Sequence, residues 1–549
     1  MVTVLQQVGD TPPAWTCTPL DPAGVPGPTG PPVDAAAVTG LAGRVLWDAT
    51  DAVYPSALAA GARIPRVHDI TLTERLLLGR EGRHGEPLSA AAVLARLAGS
   101  PVPADPPPVV PEGHPELFAA VPRRSGTTDP TGLGRVWADQ VRRIGDDNAL
   151  RLLVAAESAG ALAAVEMTRA GLPWDAAVHG RLLTDALGAR PPTGRRPPRM
   201  RELAERIDAA FGFPVNPDSA VDLRGAFQRV GHDVESTRAW VLQSVDHPAV
   251  PDVLAYKELA RLHTANGWAW LDEWVQQGRF HPGYVPAGVV SGRWAARGGG
   301  VLQIPRLLRT AVRADPGHLL VVADAAQLEP RVLAAVSGDE ALQRASAAED
   351  LYGVVAREGF GGDRNSAKTA VLGAMYGATA GEAGRLVPVL YRQYPQAMGC
   401  VQAAAEAGER GRTVRSVLGR QAPAPSAAWS EAVLAGSVPE AGEAAARRAR
   451  QVARERGRFT RNFLVQASAA DWAAVWLSGV RRDLAGLPGA ELVLFQHDEL
   501  VVHCPAEHAP AVGEVLRQAA EDARALVFPG SAVRTPVDPV AVGCYADAK

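Results

Sequence analysis

Apolar and polar positions follow a helical period over much of the chain and form short apolar runs in its last third. Residues 149–167 are rich in Ala and Leu and predict a long helix, whereas 41–47 predicts a strand or a buried turn. The apolar spacing is helical again from 200 to 277. Within it, 216–219 predicts a turn and a helix start capped by Asp218 or Ser219. The last third predicts a sheet with helical insertions.

Three proline-rich stretches interrupt these patterns, at 26–32, 101–111 and 191–198. Because proline fixes φ and lacks a backbone N–H, each stretch predicts a loop or a semi-rigid spacer. The first 185 or so residues therefore read as an independent α/β domain. A chain of 549 residues is too long for one core, so three or four domains are expected.

The composition is that of an ordinary globular protein, with 47% hydrophobic and 21% charged residues. No apolar run approaches the roughly 18 residues of a membrane span, and no basic stretch precedes an apolar core at the start. Neither a membrane span nor a signal peptide is therefore expected. The 4 cysteines form no C-x-x-C pair, which argues against a structural zinc site or a disulfide framework. We expect a cytoplasmic protein, and nothing in the sequence demands more than a monomer.

The net charge of −3 does not by itself indicate a nucleic-acid-binding protein, but the positive charges are segregated. Five arginines and no acidic residue lie between 291 and 313, and seven arginines face only Glu455 between 447 and 461. Each cluster suits either a solvated helix face or a surface that neutralises phosphates along a duplex.

Two segments place acidic residues at the ends of apolar strands. The run 319–323 predicts a buried strand that ends at Asp324, with Pro330 where a helix can start. The runs 492–495 and 500–502 predict a hairpin with Asp498 and Glu499 at its tip. Asp324 alone suits a plain cap as well as a metal ligand. Two adjacent acids in a short turn repel each other unless a cation neutralises them.

A third segment, 364–377, carries two cations at helical spacing. Arg364 and Lys368 lie one turn apart, with Leu372 and Tyr376 following. This arrangement suits a solvated basic face, or a triphosphate gripped bidentately by Arg and neutralised by Lys.

Together the three segments resemble motifs A, B and C of family A DNA polymerases, the group of bacterial DNA polymerase I. Motif A, D-Y-S-Q-I-E-L-R, is similar to DAAQLEPR at 324–331. Motif B, R-x-x-x-K-x-x-x-[FY]-G-x-x-Y-G, is similar to 364–377, and motif C, H-D-E, to 497–499.

Other family segments follow in the family's order. They are 216–219 and 256–259 in the thumb, Ser291-Gly292-Arg293 for T-G-R, 302–305 for L-Q-N-I-P, and 458–471 for R-x-x-x-N-x-x-x-Q-G-T-A-A-D. The resemblance covers about residues 200 to 549. Each motif alone is only moderately specific, but their shared order is hard to obtain by chance.

The resemblance implies a mixed α/β (α+β) fold in the form of a right hand, preceded by a ribonuclease H-like domain of the 3′–5′ exonuclease type. The implied boundaries are 1–185 for the exonuclease-like domain, 186–290 for the thumb, 291–345 for the first part of the palm, 346–464 for the fingers and 465–549 for the second part of the palm.

The resemblance also implies primer–template DNA and deoxynucleoside triphosphates as substrates, and two Mg²⁺ ions, replaceable by Mn²⁺, as cofactors. The implied metal ligands are Asp324, Asp498 and the main chain of Ala325. Glu499 is expected to support them, and Lys368 to protonate the leaving group. The implied nucleotide contacts are Arg364, Lys368, Leu372, Tyr376, Gln327, Tyr352 and Glu329, the last as a steric gate against the ribose 2′-hydroxyl. The implied DNA contacts are Arg293, Gln303, Arg458, Asn462, Gln466 and His497.

Several positions depart from the family pattern. Leu372 replaces an aromatic residue, Tyr352 replaces a histidine that commonly touches the triphosphate, and alanines at 325 and 326 replace Tyr-Ser. The N-terminal region lacks the D-x-E and Y-x-x-x-D motifs of the exonuclease, and only Asp48 or Asp51 matches its middle acid. We therefore expect no proofreading, and no flap-type 5′ nuclease domain either.

Two other hypotheses remain open. One is a polymerase-derived DNA-binding scaffold without catalysis. The other is a specialised polymerase that copies damaged DNA or RNA, which the substitutions at 325, 352 and 372 suggest.

Overall fold

The computed structural model describes residues 1–10, 13–106, 128–378, 381–438 and 442–548. The predicted loop at 101–111 lies outside the described residues from position 107 onward, while 101–106 and 26–32 form no helix. Within these ranges, none of the helices combines the length and the apolar character that a bilayer crossing requires.

The N-terminal region folds around a four-stranded sheet. Its elements are β1 (Val2–Asp10), β2 (Pro13–Leu20), α1 (Ala35–Thr39), β3 (Arg44–Trp47), α2 (Thr50–Ala59), β4 (Val67–Asp69), α3 (Ile70–Arg80), α4 (Ala90–Leu97), α5 (Pro130–Ile144) and α6 (Asn148–Ala170). The strand order is β2-β1-β3-β4, in which β1 and β2 are antiparallel and the other two pairs are parallel. The strand predicted within 41–47 and the helix predicted at 149–167 are confirmed as β3 and α6.

Helix α6 joins this region to the rest of the molecule, so the predicted domain of the first 185 residues shares an apolar core with the C-terminal helices. Leu162 packs beside the N-terminal sheet, whereas Leu153 and Val154 belong to the same apolar core as the C-terminal helices. Because α6 is buried on both of these sides, removing either partner would expose apolar surface.

A helical region with its own core follows. Its elements are β5 (Leu172–Pro173), α7 (Ala176–Leu187), α8 (Pro198–Phe211), α9 (Ala220–Arg229), α10 (Ala239–Leu242), α11 (Val250–Asn266) and α12 (Trp268–Trp274). Phe211, Phe227 and Tyr256 are among the large side chains in its interior. Ser219 is the N-cap of α9 and accepts a hydrogen bond from the backbone N–H of Asp222, which decides between the two predicted caps.

A second sheet occupies the centre of the C-terminal region. The strands are β6 (Val275–Gln276), β7 (Arg279–Phe280), β8 (Gly283–Val285), β9 (Ala295–Arg297), β10 (His318–Asp324), β11 (Glu491–Gln496), β12 (Glu499–Pro505) and β13 (Val540–Val542). Four of them form an antiparallel sheet in the order β11-β12-β10-β13. The others form smaller sheets, β5-β7-β6 and β8-β9.

A series of helices separates β10 from β11 along the chain. They are α13 (Leu328–Ser337), α14 (Glu340–Ser346), α15 (Leu351–Gly359), α16 (Arg364–Tyr376), α17 (Gly381–Gln393), α18 (Pro395–Glu409), α19 (Ala427–Ala435) and α20 (Glu443–Leu484), and α21 (Ala509–Val527) follows β12. The C-terminal half of α20 is almost wholly buried, and its Trp476 donates a hydrogen bond to the Leu516 carbonyl at 3.0 Å. The predicted sheet with helical insertions is confirmed.

Candidate active site

Asp324 and Asp498, far apart in the chain, meet at one edge of the central sheet. Asp324 ends β10 and stands opposite Glu499, the first residue of β12, in the strand register. The next residue, Ala325, donates its backbone N–H to the Asp498 carbonyl at 2.8 Å. The hairpin between β11 and β12 turns at His497. Its φ of 61° is positive, a backbone conformation that Gly or Asn usually adopts in so tight a turn.

The two carboxylates repel each other in a partly desolvated setting. Burial, and then the charge of Asp324, raise the pKa of Asp498 to about 6, although Arg293 opposes the shift. Among the described residues, no group of three or more His, Cys, Asp and Glu side chains is arranged to hold a metal. Two carboxylates and a nearby main-chain carbonyl nevertheless suit Mg²⁺, which usually keeps waters and substrate phosphates as its remaining ligands.

Glu499 has a separate protein partner. It is buried, and its Oε1 accepts a hydrogen bond from the Tyr545 hydroxyl at 2.5 Å. Tyr545 begins a short 3₁₀ turn near the end of the chain. Sequence reasoning missed Tyr545, because nothing local connects a C-terminal tyrosine with the hairpin.

Glu329 is held by two side chains from different elements. Arg293 donates to its Oε1 at 2.5 Å, and the Tyr376 hydroxyl donates to its Oε2 at 2.7 Å. Glu329 and Arg293 line a cavity of ≈ 20 Å³ together with His497 and Asp498. Such a space holds about one water molecule. Three residues with different predicted roles therefore share one small space. They are Glu329 as the gate, Arg293 as a minor-groove contact and Asp498 as a metal ligand.

A second network fixes the start of α15. The Gln327 amide donates to Asp350 Oδ1 at 2.9 Å and accepts from the backbone N–H of Leu351 at 2.8 Å. Arg364 donates to Asp350 Oδ2 at 2.8 Å, and this bond lowers the pKa of Asp350. Gln327 and Arg364, predicted to contact the nucleotide, thus contact Asp350 in this structure. Asp350 was missed as a site residue because an acid before a helix reads as an ordinary cap.

The remaining predicted nucleotide contacts lie on α15 and α16. Tyr352 is buried, which raises its pKa to about 12, and the Arg364 guanidinium lies 5.7 Å from the centre of its ring. Leu372 packs against the main apolar core, whereas Lys368 is exposed on the outer face of α16. Lys368 is therefore accessible to a ligand in solution.

Four of the predicted DNA contacts come from two elements. Arg458, Asn462 and Gln466 recur every four residues on α20 and so share one face of that helix. Gln303 is exposed at the end of a 3₁₀ turn, which Gln496 of β11 holds by donating to the Leu302 carbonyl at 2.9 Å.

His497 faces the same small cavity with a buried nitrogen. Its Nδ1 has no hydrogen-bond partner among the described residues. Burial, together with the nearby Arg293, lowers the pKa of His497, so the neutral imidazole is favoured at neutral pH. A buried polar atom without a partner suits a ligand that supplies one.

A buried ionic cluster supports this site from behind. Arg420 donates to Glu157 on α6 and, at 3.3 Å, to Asp471 on α20. The Arg420 guanidinium lies so close to Gly292 that a Cβ there would sit 2.4 Å from it. Gly292 has φ +85° and precedes Arg293, so the cluster packs directly behind the Arg293 loop. Sequence reasoning missed Arg420 and Glu157, since their sequence separation hides the contact.

Comparison with known proteins decides the family. A family model described as DNA polymerase family A matches residues 197–538, more than half of the chain. The chain belongs to DNA polymerase family A. The three polymerase motifs and both acids of the sheet edge lie inside the matched region.

Curated relatives of this family A member include bacterial DNA polymerases. DNA polymerase I of Chloroflexus aurantiacus is 30% identical over 364 residues, which is 58% of this chain and 36% of that protein. The thermostable DNA polymerase I of Thermus aquaticus is 28% identical over 373 residues, which is 60% of this chain and 42% of that protein. The match thus spans only about two fifths of the length of these relatives.

A solved structure shares the fold. The POL domain of Pol1 from M. smegmatis, in complex with DNA primer-template and dNTP, superimposes with a TM-score of 0.69 at 20% identity. The match covers 94% of this chain and 88% of that one. It confirms the predicted mixed α/β polymerase fold.

Proposed function

We propose that this chain is a template-directed DNA polymerase that adds deoxynucleotides to a primer 3′-hydroxyl. The observation that carries the proposal is the meeting of Asp324 and Asp498 at one sheet edge, within a family A polymerase fold. Two half-buried acids that repel each other cost stability unless a cation is bound between them, which gives the arrangement a chemical purpose.

Asp324, Asp498 and the Ala325 main chain would hold two Mg²⁺ ions. When bound, such ions lower the pKa of the attacking hydroxyl and stabilise the departing pyrophosphate. Lys368 neutralises the triphosphate, and its Nζ is positioned on an accessible face to donate a proton to the pyrophosphate. Arg364 also binds the triphosphate once the nucleotide has displaced Asp350 from the Arg364 guanidinium. Glu499, engaged with Tyr545, supports the sheet edge rather than bridging the ions.

Glu329 acts as the gate for the sugar. Held between Arg293 and Tyr376, its carboxylate leaves too little space for a ribose 2′-hydroxyl, so deoxynucleotides are preferred. Arg293, Gln466 and His497 read minor-groove acceptors that all base pairs share, so pair geometry is sensed without sequence preference. Gln303, Arg458 and Asn462 bind the DNA backbone beside them.

The domain assignment is part of the proposal. The thumb comprises 186–290, the palm 291–345 and 465–549, and the fingers 346–464, with an exonuclease-like region at 1–185. The separate core of α8–α11 supports the thumb boundary, and the helices inserted between β10 and β11 support the fingers. Strand β1 reads VTVLQQVGD, without D-x-E, so the N-terminal region serves the structure rather than proofreading.

Primer extension tests the proposal most directly. The wild-type chain and Asp498→Ala are assayed with Mg²⁺ and with Mn²⁺ on one primed template. Because the metal-dependent lowering of the barrier is lost, we expect the rate of the variant to fall at least ~10³-fold. Asp483→Ala, which removes a half-buried acid near the C-terminal end of α20 that pairs with Arg482, is the control and keeps the wild-type rate. If wild type and Asp498→Ala are equally inert with both metals, the proposal is wrong and the scaffold hypothesis holds.

A further inference from the structure

A second and larger cavity lies in the N-terminal region, at the amino ends of the parallel strands β1, β3 and β4. Its volume is ≈ 420 Å³, and its lining includes Arg44, Arg66, His68, Trp137 and Arg151. Among the described residues, no acidic side chain lines it. The polymerase chemistry proposed above makes no use of this cavity.

The strand register sets two arginines side by side. Arg44 begins β3 opposite Val2 of β1, and the next residue, Val45, donates its N–H to the Arg66 carbonyl at 2.9 Å. Since side chains alternate along a strand, Arg44, Arg66 and His68 share the face of the sheet that α5 covers. The 2.9 Å hydrogen bond between His68 Nε2 and Gln140 of α5 places α5 over that face.

These two arginines lack the partners that neighbouring arginines have. In the part of the chain that the structure describes, neither Arg44 nor Arg66 has a carboxylate within ion-pair distance. Burial, and then the charge of Arg66, lower the pKa of Arg44. Three other partly buried arginines of this region each pair with a carboxylate, namely Arg80 with Asp147 at 2.7 Å, Arg96 with Glu74 at 3.0 Å and Arg143 with Glu74 at 2.8 Å.

The C-terminus of α5 does not explain the two charges. Arg151 already satisfies this helix end, because it donates hydrogen bonds to the Gly145 carbonyl at 2.5 Å and to Asp146 at 3.0 Å. Arg44 and Arg66 therefore form an unneutralised cationic pair that costs folding free energy.

The rest of the wall is apolar. Trp137 and Val141 of α5, Val154 of α6 and Val2 of β1 face the same space. A ligand that suits this cavity therefore carries a compact anionic group at one end and a flat, weakly polar body at the other.

We propose that this cavity binds a phosphate monoester attached to an aromatic body, as in a nucleoside 5′-monophosphate or the 5′-terminal nucleotide of a DNA strand. Two guanidinium groups match the near −2 charge of a phosphate monoester and grip its oxygens bidentately. Trp137 offers a surface on which a base stacks. The volume lies within the roughly 300–1,000 Å³ of typical small-ligand pockets.

Calorimetric titration of the full chain with dAMP tests the proposal. The variants are the double substitution Arg44→Gln/Arg66→Gln and, as matched control, Arg135→Gln, an exposed arginine of α5 that does not line the cavity. We expect the double variant to bind dAMP at least about tenfold more weakly, because two charge-assisted bonds are lost. Arg135→Gln and Asp498→Ala keep the wild-type affinity, which separates this cavity from the polymerase site.

Two further probes identify the source of the ligand. A single-stranded octamer is titrated with and without a 5′-phosphate. A gain from the phosphate that disappears in the double variant assigns the cavity to a strand end. If the double variant loses dAMP binding but the 5′-phosphate has no effect on octamer binding, the cavity is assigned to a free mononucleotide. Unchanged dAMP and octamer affinities in the double variant overturn the proposal, as does the absence of phosphate-dependent binding by the wild type.

Thermal melting separates binding from a structural role. Because the pair repels itself, we expect the double variant to melt no lower than wild type, and dAMP to raise the melting temperature of wild type only. A lower melting temperature with unchanged dAMP affinity would make the arginines structural and overturn the proposal. Should the double variant fail to fold, Arg66→Gln alone replaces a side chain that is exposed and serves the same titration.

Discussion

At the scale of single residues, the site is a set of side chains that already satisfy one another. Glu329 accepts from Arg293 and Tyr376, and Asp350 accepts from Gln327 and Arg364. Binding of a nucleotide as proposed would exchange these bonds, so part of the ligand's binding free energy would be offset by bonds given up. Residues predicted as substrate contacts therefore also form hydrogen bonds within the protein.

Replacing Glu329 with alanine should relax sugar selection. Without the carboxylate, space opens beside the position proposed for the ribose, and we expect the preference for dNTP over rNTP to fall at least about tenfold. Tyr376→Phe, which removes one hydrogen bond but keeps the carboxylate, should change the preference far less. Competing incorporation of dNTP and rNTP on one template measures both, and an unchanged ratio in Glu329→Ala would contradict the gate.

At the scale of elements, close backbone approach and buried charge decide how helices meet. Gly373 of α16 faces α17 so closely that a Cβ would lie 2.8 Å from the Ala383 Cβ. At the other end of the molecule, Arg481 of α20 donates to Glu166 of α6 at 2.7 Å and to the Ile64 carbonyl at 2.6 Å. Tyr54 adds a 2.6 Å bond to the same carboxylate.

Two glycine substitutions should act in opposite directions. Gly399→Ala on α18, where an added Cβ meets nothing within 4 Å, should stabilise the chain by up to ~1 kcal/mol through helix propensity. Gly373→Ala should destabilise the chain despite the same gain in helix propensity, because α16 and α17 must move apart to make room for the added Cβ. Chemical denaturation followed by circular dichroism compares them, and a stabilised Gly373→Ala would show that the helices separate at little cost.

The junction between α6 and α20 should depend on Glu166. Glu166→Gln leaves the Arg481 guanidinium buried without its carboxylate, which should cost about 3–5 kcal/mol of unfolding free energy. The control is Glu514→Gln on α21, whose partner Arg517 lies 3.2 Å away on an exposed surface, with an expected cost of about 1 kcal/mol or less. Similar denaturation midpoints for the two variants would mean that the buried pair contributes little.

At the scale of the whole molecule, the N-terminal region shares its packing with the C-terminal region. Its helix α6 supplies apolar residues to the main core, and its Glu157 completes the buried cluster with Arg420 and Asp471 behind the Arg293 loop. Strand β1 of this region carries no D-x-E pair of acids. Packing of α6 against α20 gives the region a structural role.

No proofreading is therefore expected from the full chain. Labelled single-stranded DNA incubated with Mg²⁺ should remain undigested from its 3′ end, since a two-metal hydrolysis site needs carboxylates that β1 does not carry. Asp69→Asn, which removes a buried carboxylate at the end of β4, provides the comparison. Robust 3′–5′ hydrolysis by wild type that this substitution abolishes would overturn the expectation.

The sequence by itself determined the local elements and the chemistry. Residue periodicity predicts helix α16, strand β10 and the hairpin β11–β12. The acids at the end of β10 and in the hairpin turn could be identified because the order of the motifs is a property of the sequence. Only the tertiary structure decided which of these residues meet. The contacts of Asp324 with the Asp498 turn, of Arg420 with Glu157, and of Arg44 with Arg66 depend on strand register and helix packing. Such contacts join residues with no local signal in common, so a single sequence does not reveal them.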